Sequence, residues 1–389
     1  MAREVPRHGP TRRIRLSPGQ GRVPAPCIPP LVPGDDGLVL YTDGDHLYRA
    51  MLDAIGRARR RIWLETYILA DDTVGWRFAE ALAAKARLGL DVRLHVDAAG
   101  SYFWSTRRLE DYLRRHGVRL RWFHRFSWRW PLLYNRRNHR KLLVVDQAKA
   151  FLGGFNIHAQ PSAELSAPDQ WEDAHVEMDR ARLVRQAGRL FAALWRHEGS
   201  AEPPRAEGVP SVLLPNQTRR HRHRLWCMYR DLLRGAEEWV DLVTPYFVPD
   251  ARTQRDLQDA AGRGVAVRLL IPRITDVPIA RWAGQAAYAN LLASGVRIFE
   301  YRPRLLHAKT AVFDGRWATV GTANLDYRSF FINHELNLVS RDPDLIDWLT
   351  ASFETWLAGS DELEAHRWLQ RHWDQRLSEL VGWAARRWL

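Results

Sequence analysis

Ten residues of this chain fall into two matched sets. His139, Lys141, Asp146, Gly153 and Asn156 recur as His307, Lys309, Asp314, Gly321 and Asn324, each pair 168 positions apart. Two equal copies imply one site with two-fold pseudo-symmetry, to which each half lends an imidazole, an ammonium group and an amide. A single His-x-Lys on a strand is ordinarily an exposed polar face. Two copies in register with the same followers are not surface decoration, which has no reason to duplicate. Such groups suit a phosphodiester, whose anionic oxygens shield phosphorus from nucleophiles until donors neutralise them. Lys141 and Lys309 supply ammonium groups for those oxygens, and Asn156 and Asn324 supply amide N–H donors. A neutral imidazole can then attack phosphorus and form a phosphohistidine. The second imidazole, protonated, donates to the departing alkoxide and later deprotonates an incoming alcohol or water. Identical surroundings would not hold one ring neutral and the other charged, so differences between the halves must separate the two pKa values. The lysines and asparagines do the charge work, so the chemistry asks for no metal and no organic cofactor. Asp146 and Asp314 precede Gln147 and Gly315 at a strand end, where a turn-forming aspartate is ordinary. They fit either the turn or a bracing role in the site.

The elements that must carry these residues repeat as well. In the first half the pattern predicts helices over residues 47–60 and 78–88 and strands over 62–67 and 92–96. The second half repeats this order, with helices over 228–236 and 257–263 and strands over 239–244 and 267–271. Residues 142–145 and 310–313 directly follow the two histidines and read as buried strands. Side chains on a strand alternate faces, so His139 and Lys141 share one face, as do His307 and Lys309. Gly117-Val118-Arg119 matches Gly295-Val296-Arg297 at an offset of 178 rather than 168, so the first half carries extra residues before His139. Alternating strands and helices argue for an α/β fold with mixed, largely parallel sheets flanked by helices. The expected divisions are a Pro/Arg-rich arm over 1–36, a first unit over 37–199, a linker over 200–215, a second unit over 216–358 and a C-terminal helix over 359–389. In that last helix Leu369, Trp373, Leu377, Leu380, Ala384 and Trp388 form one stripe and arginines lie off it.

Composition narrows the partners. A net charge of +13 and a pI near 10.2 favour polyanions, either nucleic acid or an anionic lipid surface. Residues 107–141 hold twelve Arg or Lys, interleaved with Phe126, Trp128, Trp130 and Tyr134, a mixture that suits either partner. No apolar run reaches the ~20 residues that span a bilayer, so membrane contact should be peripheral. The N-terminus leads into Pro and Arg rather than the apolar core of a secretory signal. Cys27 and Cys227 match no metal-ligand spacing and make no disulfide framework, which fits a reducing compartment. The histidines outside the motif, such as His116, His124, His221 and His223, show no ligand spacing and read as surface residues.

The doubled motif with its Gly and Asn followers resembles the phospholipase D superfamily. The words around the second copy narrow the match: Asp276-Val277-Pro278-Ile279, Phe299-Glu300-Tyr301-Arg302, and 317–326 ending in Thr322-Ala323-Asn324-Leu325-Asp326. They are similar to the bacterial cardiolipin synthases, especially the shorter type without an N-terminal membrane hairpin. The resemblance covers roughly residues 37–358 and the C-terminal helix, leaving the first ~35 residues outside it. It implies two homologous units packed as a pseudo-dimer, with the site at their seam. It also implies an acid at Glu335 that fixes the tautomer of a histidine. Its counterpart in the first half is Asp173, with Glu172 competing for the role; which histidine each acid serves is left open. Tyr67 and Tyr246, after matched strands, stand either in the core or at the site edge. By the same analogy His139 is the nucleophile and His307 the general acid/base.

The function so implied is a phosphatidyltransferase working at the cytoplasmic face of a bacterial membrane. It would join phosphatidylglycerol to a second lipid alcohol, with anionic phospholipids and the membrane surface as partners. The motif does not encode the acceptor, so a phosphodiesterase acting on lipid headgroups or nucleic acid is the rival reading. A basic membrane-binding scaffold without activity is the non-enzymatic alternative, against which the intact doubled site argues.

Overall fold

The computed structural model describes residues 28–125, 135–196, 208–216 and 223–369. The chain folds into two lobes, each built on one mixed sheet. The first sheet comprises β1 (Val39–Tyr41), β2 (Arg61–Thr66), β3 (Asp91–Asp97), β4 (Arg119–Phe123), β5 (Leu142–Val145), β6 (Lys149–Gly153) and β7 (His175–Met178). Its spatial order is β1-β7-β6-β5-β2-β3-β4. The second comprises β8 (Ser211–Pro215), β9 (Trp239–Val243), β11 (Ala266–Pro272), β12 (Arg297–Tyr301), β13 (Thr310–Phe313), β14 (Trp317–Gly321), β16 (Leu336–Ser340) and β17 (Ser360–Glu362). Between them in sequence come β10 (Phe247–Val248) and β15 (Leu325–Asp326), which pair separately in parallel. The second sheet runs β17-β12-β11-β9-β13-β14-β16-β8, so β4-β3-β2-β5-β6-β7 and β12-β11-β9-β13-β14-β16 are the same series.

The sheets are mixed, but the parallel share is smaller than alternating strands and helices imply. Within the two large sheets, β2-β3-β4 and β9-β11-β12 run parallel and the other neighbours antiparallel. After each motif the chain turns back at once: Asp146 and Gln147, then Asp314 and Gly315, take positive φ between 51° and 58°. Such a turn is far too short for a parallel crossover, so β5-β6 and β13-β14 form antiparallel hairpins. Several helices begin at an aspartate whose carboxylate accepts a backbone N–H: Asp43, Asp72, Asp250 and Asp342 cap Gly44–Arg57, Thr73–Arg87, Ala251–Gly262 and Pro343–Ala358. Asp72 and Asp250 start their helices five or six residues earlier than apolar spacing alone suggests.

Helices Ala181–Trp195 and Pro343–Ala358 lie between the lobes. The apolar cluster around them draws Leu142, Val144 and Val176 from the first sheet and Leu213, Val312 and Leu338 from the second. This shared core fuses the halves into one body. Three expected boundaries change. Residues 211–215, expected in the linker, form edge strand β8 against β16; the run Ser211-Val212-Leu213-Leu214 pairs, and the flanking prolines are tolerated at a sheet edge. Residues 28–36, expected in the arm, dock instead: Ile28 and Leu31 are buried in the second lobe's core, and Leu31 bridges to Val209. Residues 360–362, expected in the C-terminal helix, form β17 against β12 once Gly359 closes the preceding helix. The stripe beyond Leu369 and the aromatic insertion over 126–134 lie outside the described residues. Cys227 is disulfide-bonded, which corrects the reading of the cysteines, and Cys27 is outside the described residues.

Candidate active site

The two motif segments meet at the seam. Residues 138–141 run extended just before β5, and Asn138 bridges to His334 of the other lobe; the His139 N–H donates to the His334 carbonyl at 3.0 Å. The second lobe does the same in reverse: Leu306 bridges to Glu172, and the His307 N–H donates to the Glu172 carbonyl at 2.6 Å. In each case the residue after the bridge partner is the acid, Glu335 after His334 and Asp173 after Glu172. The backbone pairing therefore delivers each carboxylate to the opposite lobe's imidazole. Asp173 Oδ2 lies 2.6 Å from His307 Nδ1, and Glu335 Oε2 lies 3.0 Å from His139 Nδ1. The question that spacing left open is answered by geometry: each acid serves the partner's histidine. Asp173, not Glu172, takes the position; the Glu172 carboxylate accepts instead from the Tyr301 hydroxyl at 2.9 Å.

An Nδ1–H that donates to a carboxylate leaves Nε2 as the free lone pair. Both rings line one cleft of about 520 Å³, together with Asn156, Asn324, Tyr67 and Tyr246. Tyr67 stands edge-on to His139 with ring centroids 4.9 Å apart, and Tyr246 edge-on to His307 at 6.0 Å. Both tyrosines thus belong to the site walls. Lys141 and Lys309 are buried; Lys141 Nζ donates to the His139 carbonyl at 2.9 Å, and Lys309 Nζ donates to the His307 carbonyl and lies 2.8 Å from His307 Nδ1 and 3.7 Å from Asp173. Asn156 Oδ1 accepts from the Ile68 N–H at 3.0 Å, which turns its NH₂ away from that bond as a donor.

Burial sets the charges. Burial and repulsion from Lys309 bring the Lys141 ammonium down to about 7, and burial brings Lys309 to about 8 while Asp173 and Glu335 oppose it. Both imidazoles are pushed down by burial. His139 is pulled back by Glu335, whereas Lys309 drives His307 well below the usual range. Burial raises Asp173, opposed chiefly by Lys309. Pseudo-symmetric geometry thus carries unequal electrostatics, as a division of labour between two identical rings requires.

Asp146 and Asp314 are not brought to the cleft, which corrects their place among the candidate catalytic residues. Asp146 accepts from the N–H groups of Arg59, Arg60 and Arg61 at 2.7–2.8 Å, and Asp314 from those of Glu237, Glu238 and Trp239 at 2.9 Å. Each ties its hairpin turn to the start of the neighbouring strand. The remaining histidines divide. His116 and His124 are half-buried rather than on the surface, and His221 is outside the described residues, while His95, His158, His175 and His334 are buried.

Several site residues escaped sequence reasoning. Thr322 braces Glu335, its Oγ1 donating at 2.5 Å, and its carbonyl lies 3.1 Å from His139 Nδ1. The matching position is Gly154, where a Cβ would stand 1.9 Å from Asp173 Oδ1, so the first lobe makes room where the second makes a hydrogen bond. The 168-residue offset pairs these two positions and was the available signal. Trp171 packs on His307 at 5.8 Å, and Arg137, Arg328 and Asp326 also line the cleft. Burial raises Asp326 to about 6, against the Ser329 N–H that donates to it.

Comparison with known proteins agrees with this architecture. The family described as "Cardiolipin synthase, PLD-like domain" matches residues 51–195 and 229–357. Cardiolipin synthase 2 of Bacillus anthracis is 32% identical over 352 residues, spanning 87% of this chain and 68% of that protein. Cardiolipin synthase B of Escherichia coli (strain K12) is 34% identical over 315 residues, spanning 78% and 76%. Among solved structures, phosphatidylserine synthase of Haemophilus influenzae Rd KW20 shares the fold with a TM-score of 0.68 at 13% identity, over 91% of this chain and 97% of that one. Matched across both halves of its doubled motif, the chain belongs to the cardiolipin synthase family of phospholipase D-like enzymes.

Proposed function

We propose that this protein makes cardiolipin, or a related bis-phosphatidyl lipid, by transferring a phosphatidyl group from phosphatidylglycerol to a second lipid alcohol. The observation that carries the reading is the reciprocal pairing of each imidazole Nδ1 with a carboxylate of the other lobe. It supports two Nε2 atoms facing one phosphorus from opposite sides, the arrangement that in-line displacement needs. Following the superfamily analogy, His139 attacks the donor phosphorus while His307, disfavoured as a cation in the free protein by burial and Lys309 and taking up its proton as the anionic donor binds, protonates the departing glycerol oxygen. The P–O bond to glycerol breaks as the P–N bond forms. In the second step His307 takes the proton of the acceptor hydroxyl, whose oxygen displaces His139. Lys141, Lys309, Asn156 and Asn324 hold the non-bridging oxygens and stabilise the charge that develops on them. Asp173 and Glu335 act through the rings they orient. Phospholipid substrates and peripheral membrane contact follow from this reading, and no helix among the described residues is long and apolar enough to cross a bilayer.

The test is incubation of the full chain with labelled phosphatidylglycerol and, separately, with single-stranded DNA. A lipid carrying two phosphatidyl groups is the expected product. Release of phosphatidic acid alone makes the protein a hydrolase, and cleaved DNA beside untouched lipid overturns the reading. His139→Ala should abolish both turnover and an acid-labile phosphoenzyme. His307→Ala should abolish turnover yet still allow the adduct to be trapped.

A further inference from the structure

Ten large apolar side chains are left exposed among the described residues, and five of them are close in sequence to residues that line the cleft: Tyr102, Phe103, Ile274, Trp282 and Tyr327. Each lies within a few residues of the cleft wall. Tyr102 and Phe103 fall between Gly100 and Trp104, Ile274 and Trp282 flank Asp276, Val277 and Ala280, and Tyr327 separates Asp326 from Arg328. The loops are also related by the pseudo-two-fold. Residues 98–106 follow β3, and 273–277 follow β11, its counterpart in the second sheet. One prong therefore comes from each lobe.

Phe103 is 91% exposed and Tyr102 71%, and their rings meet edge-on with centroids 4.9 Å apart. This pair buries little of itself in the protein, so it has apolar area to give to another phase. Exposed Arg107 and Arg108 follow the first prong, and exposed Arg273 precedes Ile274. Aromatic rings beside arginines match the boundary of a bilayer, where rings sit at headgroup depth and guanidinium groups meet lipid phosphates. We propose that the mouth of the cleft seats on an anionic phospholipid bilayer, with the Tyr102–Phe103 prong and the Ile274–Trp282 prong entering the headgroup layer on either side. The occupant is a lipid surface because the exposed rings follow the cleft-lining segments of both lobes and the first prong carries Arg107 and Arg108 beside it; at the second, Arg273 is paired with Asp361. Seating there places the cleft opening against the headgroups. The inference deepens the reading above by locating the surface through which lipid would reach the site.

The experiment uses the full chain, with flotation on vesicles of phosphatidylcholine alone or mixed with phosphatidylglycerol, and turnover on mixed vesicles or on monomeric dihexanoyl-phosphatidylglycerol. Withdrawing one aromatic ring from water is worth roughly tenfold or more in partitioning. Tyr102→Ser with Phe103→Ser should therefore lower binding to mixed vesicles about 10- to 100-fold. Trp282→Ser should lower it by roughly tenfold. Turnover on vesicles should fall in step, while turnover of the monomeric lipid stays within about twofold. Unchanged flotation overturns the proposal, and so does an equal fall on vesicles and monomer. Wild-type binding to phosphatidylcholine as tight as to the mixed vesicles overturns the anionic part. If the wild type turns over neither lipid form, the synthase reading fails, and the flotation arm still decides the membrane surface.

Discussion

Replacing Asp173 by Asn probes the reciprocal arrangement most directly. The side chain keeps its size, so the charge and the direction of one hydrogen bond are what change. At 2.6 Å and fully buried, the contact with His307 Nδ1 is charge-assisted, worth about 1.5–3 kcal/mol. At about 1.4 kcal/mol per decade that alone predicts roughly a 10- to 100-fold loss. An asparagine can also present its NH₂ to Nδ1, which moves the imidazole proton to Nε2 and removes the lone pair from the cleft. The analogous change in a serine protease triad costs about 10⁴, so the expected loss in kcat lies between about 10² and 10⁴. The assay compares initial rates of bis-phosphatidyl lipid formation in mixed micelles, with a melting curve to show that the variant is folded. A second substrate isolates the role. Phosphatidyl-p-nitrophenol has a leaving group that needs no proton, so Asp173→Asn should release nitrophenol at nearly the wild-type burst rate. Glu335→Gln, acting on the nucleophile, should slow both substrates. A fall of less than about threefold for Asp173→Asn would refute the orienting role. An equal fall on both substrates would refute its passage through the general acid.

The lysines give a pH limb. With Lys141 brought to about 7 and Lys309 to about 8, the free enzyme loses positive charge as pH rises through that range. We expect kcat/KM to decline above neutrality, because it reports groups of the free enzyme; a profile flat to pH 9 would contradict the burial argument. Asp146→Ala should leave activity within about twofold at 25 °C and lower the melting midpoint by a few degrees, since three backbone N–H groups lose their acceptor at a half-exposed turn (about 1–2 kcal/mol). Those N–H groups hold the folded carboxyl below its ordinary 3.8 despite the cost of partial burial. Its contribution is therefore present above that value and disappears as pH falls through the folded pKa. The melting difference should shrink as pH falls below 3.8, and a difference that stays constant on acidification would show that the turn is held by something else.

Much of the site was legible because the duplication exposes it. A shared offset singled out His139, Lys141, Asn156 and their partners, and strand alternation placed His and Lys on one face. The residue between them confirms that alternation: Arg140 points the other way, fully buried against Glu65 at 3.0 Å. No feature of the sequence announced that pair, because its counterpart in the second half is the apolar Ala308 and no repeat draws attention to it. Asp146 and Asp314 show the limit from the other side. They repeat as faithfully as the histidines, yet what is duplicated there is a hairpin turn, and duplication alone does not separate a site from the scaffold that presents it. Strand direction was harder still, since a buried strand reads alike whether its neighbour returns by a tight turn or a crossover. The turn chemistry at Asp146-Gln147 and Asp314-Gly315 held that information.

The reciprocal pairing was beyond the reach of spacing for a physical reason. Distance along the chain relates an acid to its own half, whereas the bridges Asn138–His334 and Glu172–Leu306 relate it to the other. A lobe alone would hold its histidine without the carboxylate that orients it, and its carboxylate without a histidine to orient. Neither half is then a weaker enzyme; each is an incomplete one. The apolar layer shared between the two sheets, through helices Ala181–Trp195 and Pro343–Ala358, thus stabilises more than the fold. It holds the two lobes in the one docking that completes both imidazole–carboxylate pairs. With that docking fixed, the unequal partners at each ring, Lys309 near His307 and Thr322 behind Glu335, make the two rings electrostatically distinct while the backbone stays pseudo-symmetric; in the free protein that difference favours the neutral form of His307, so the proton it donates must arrive with the anionic substrate.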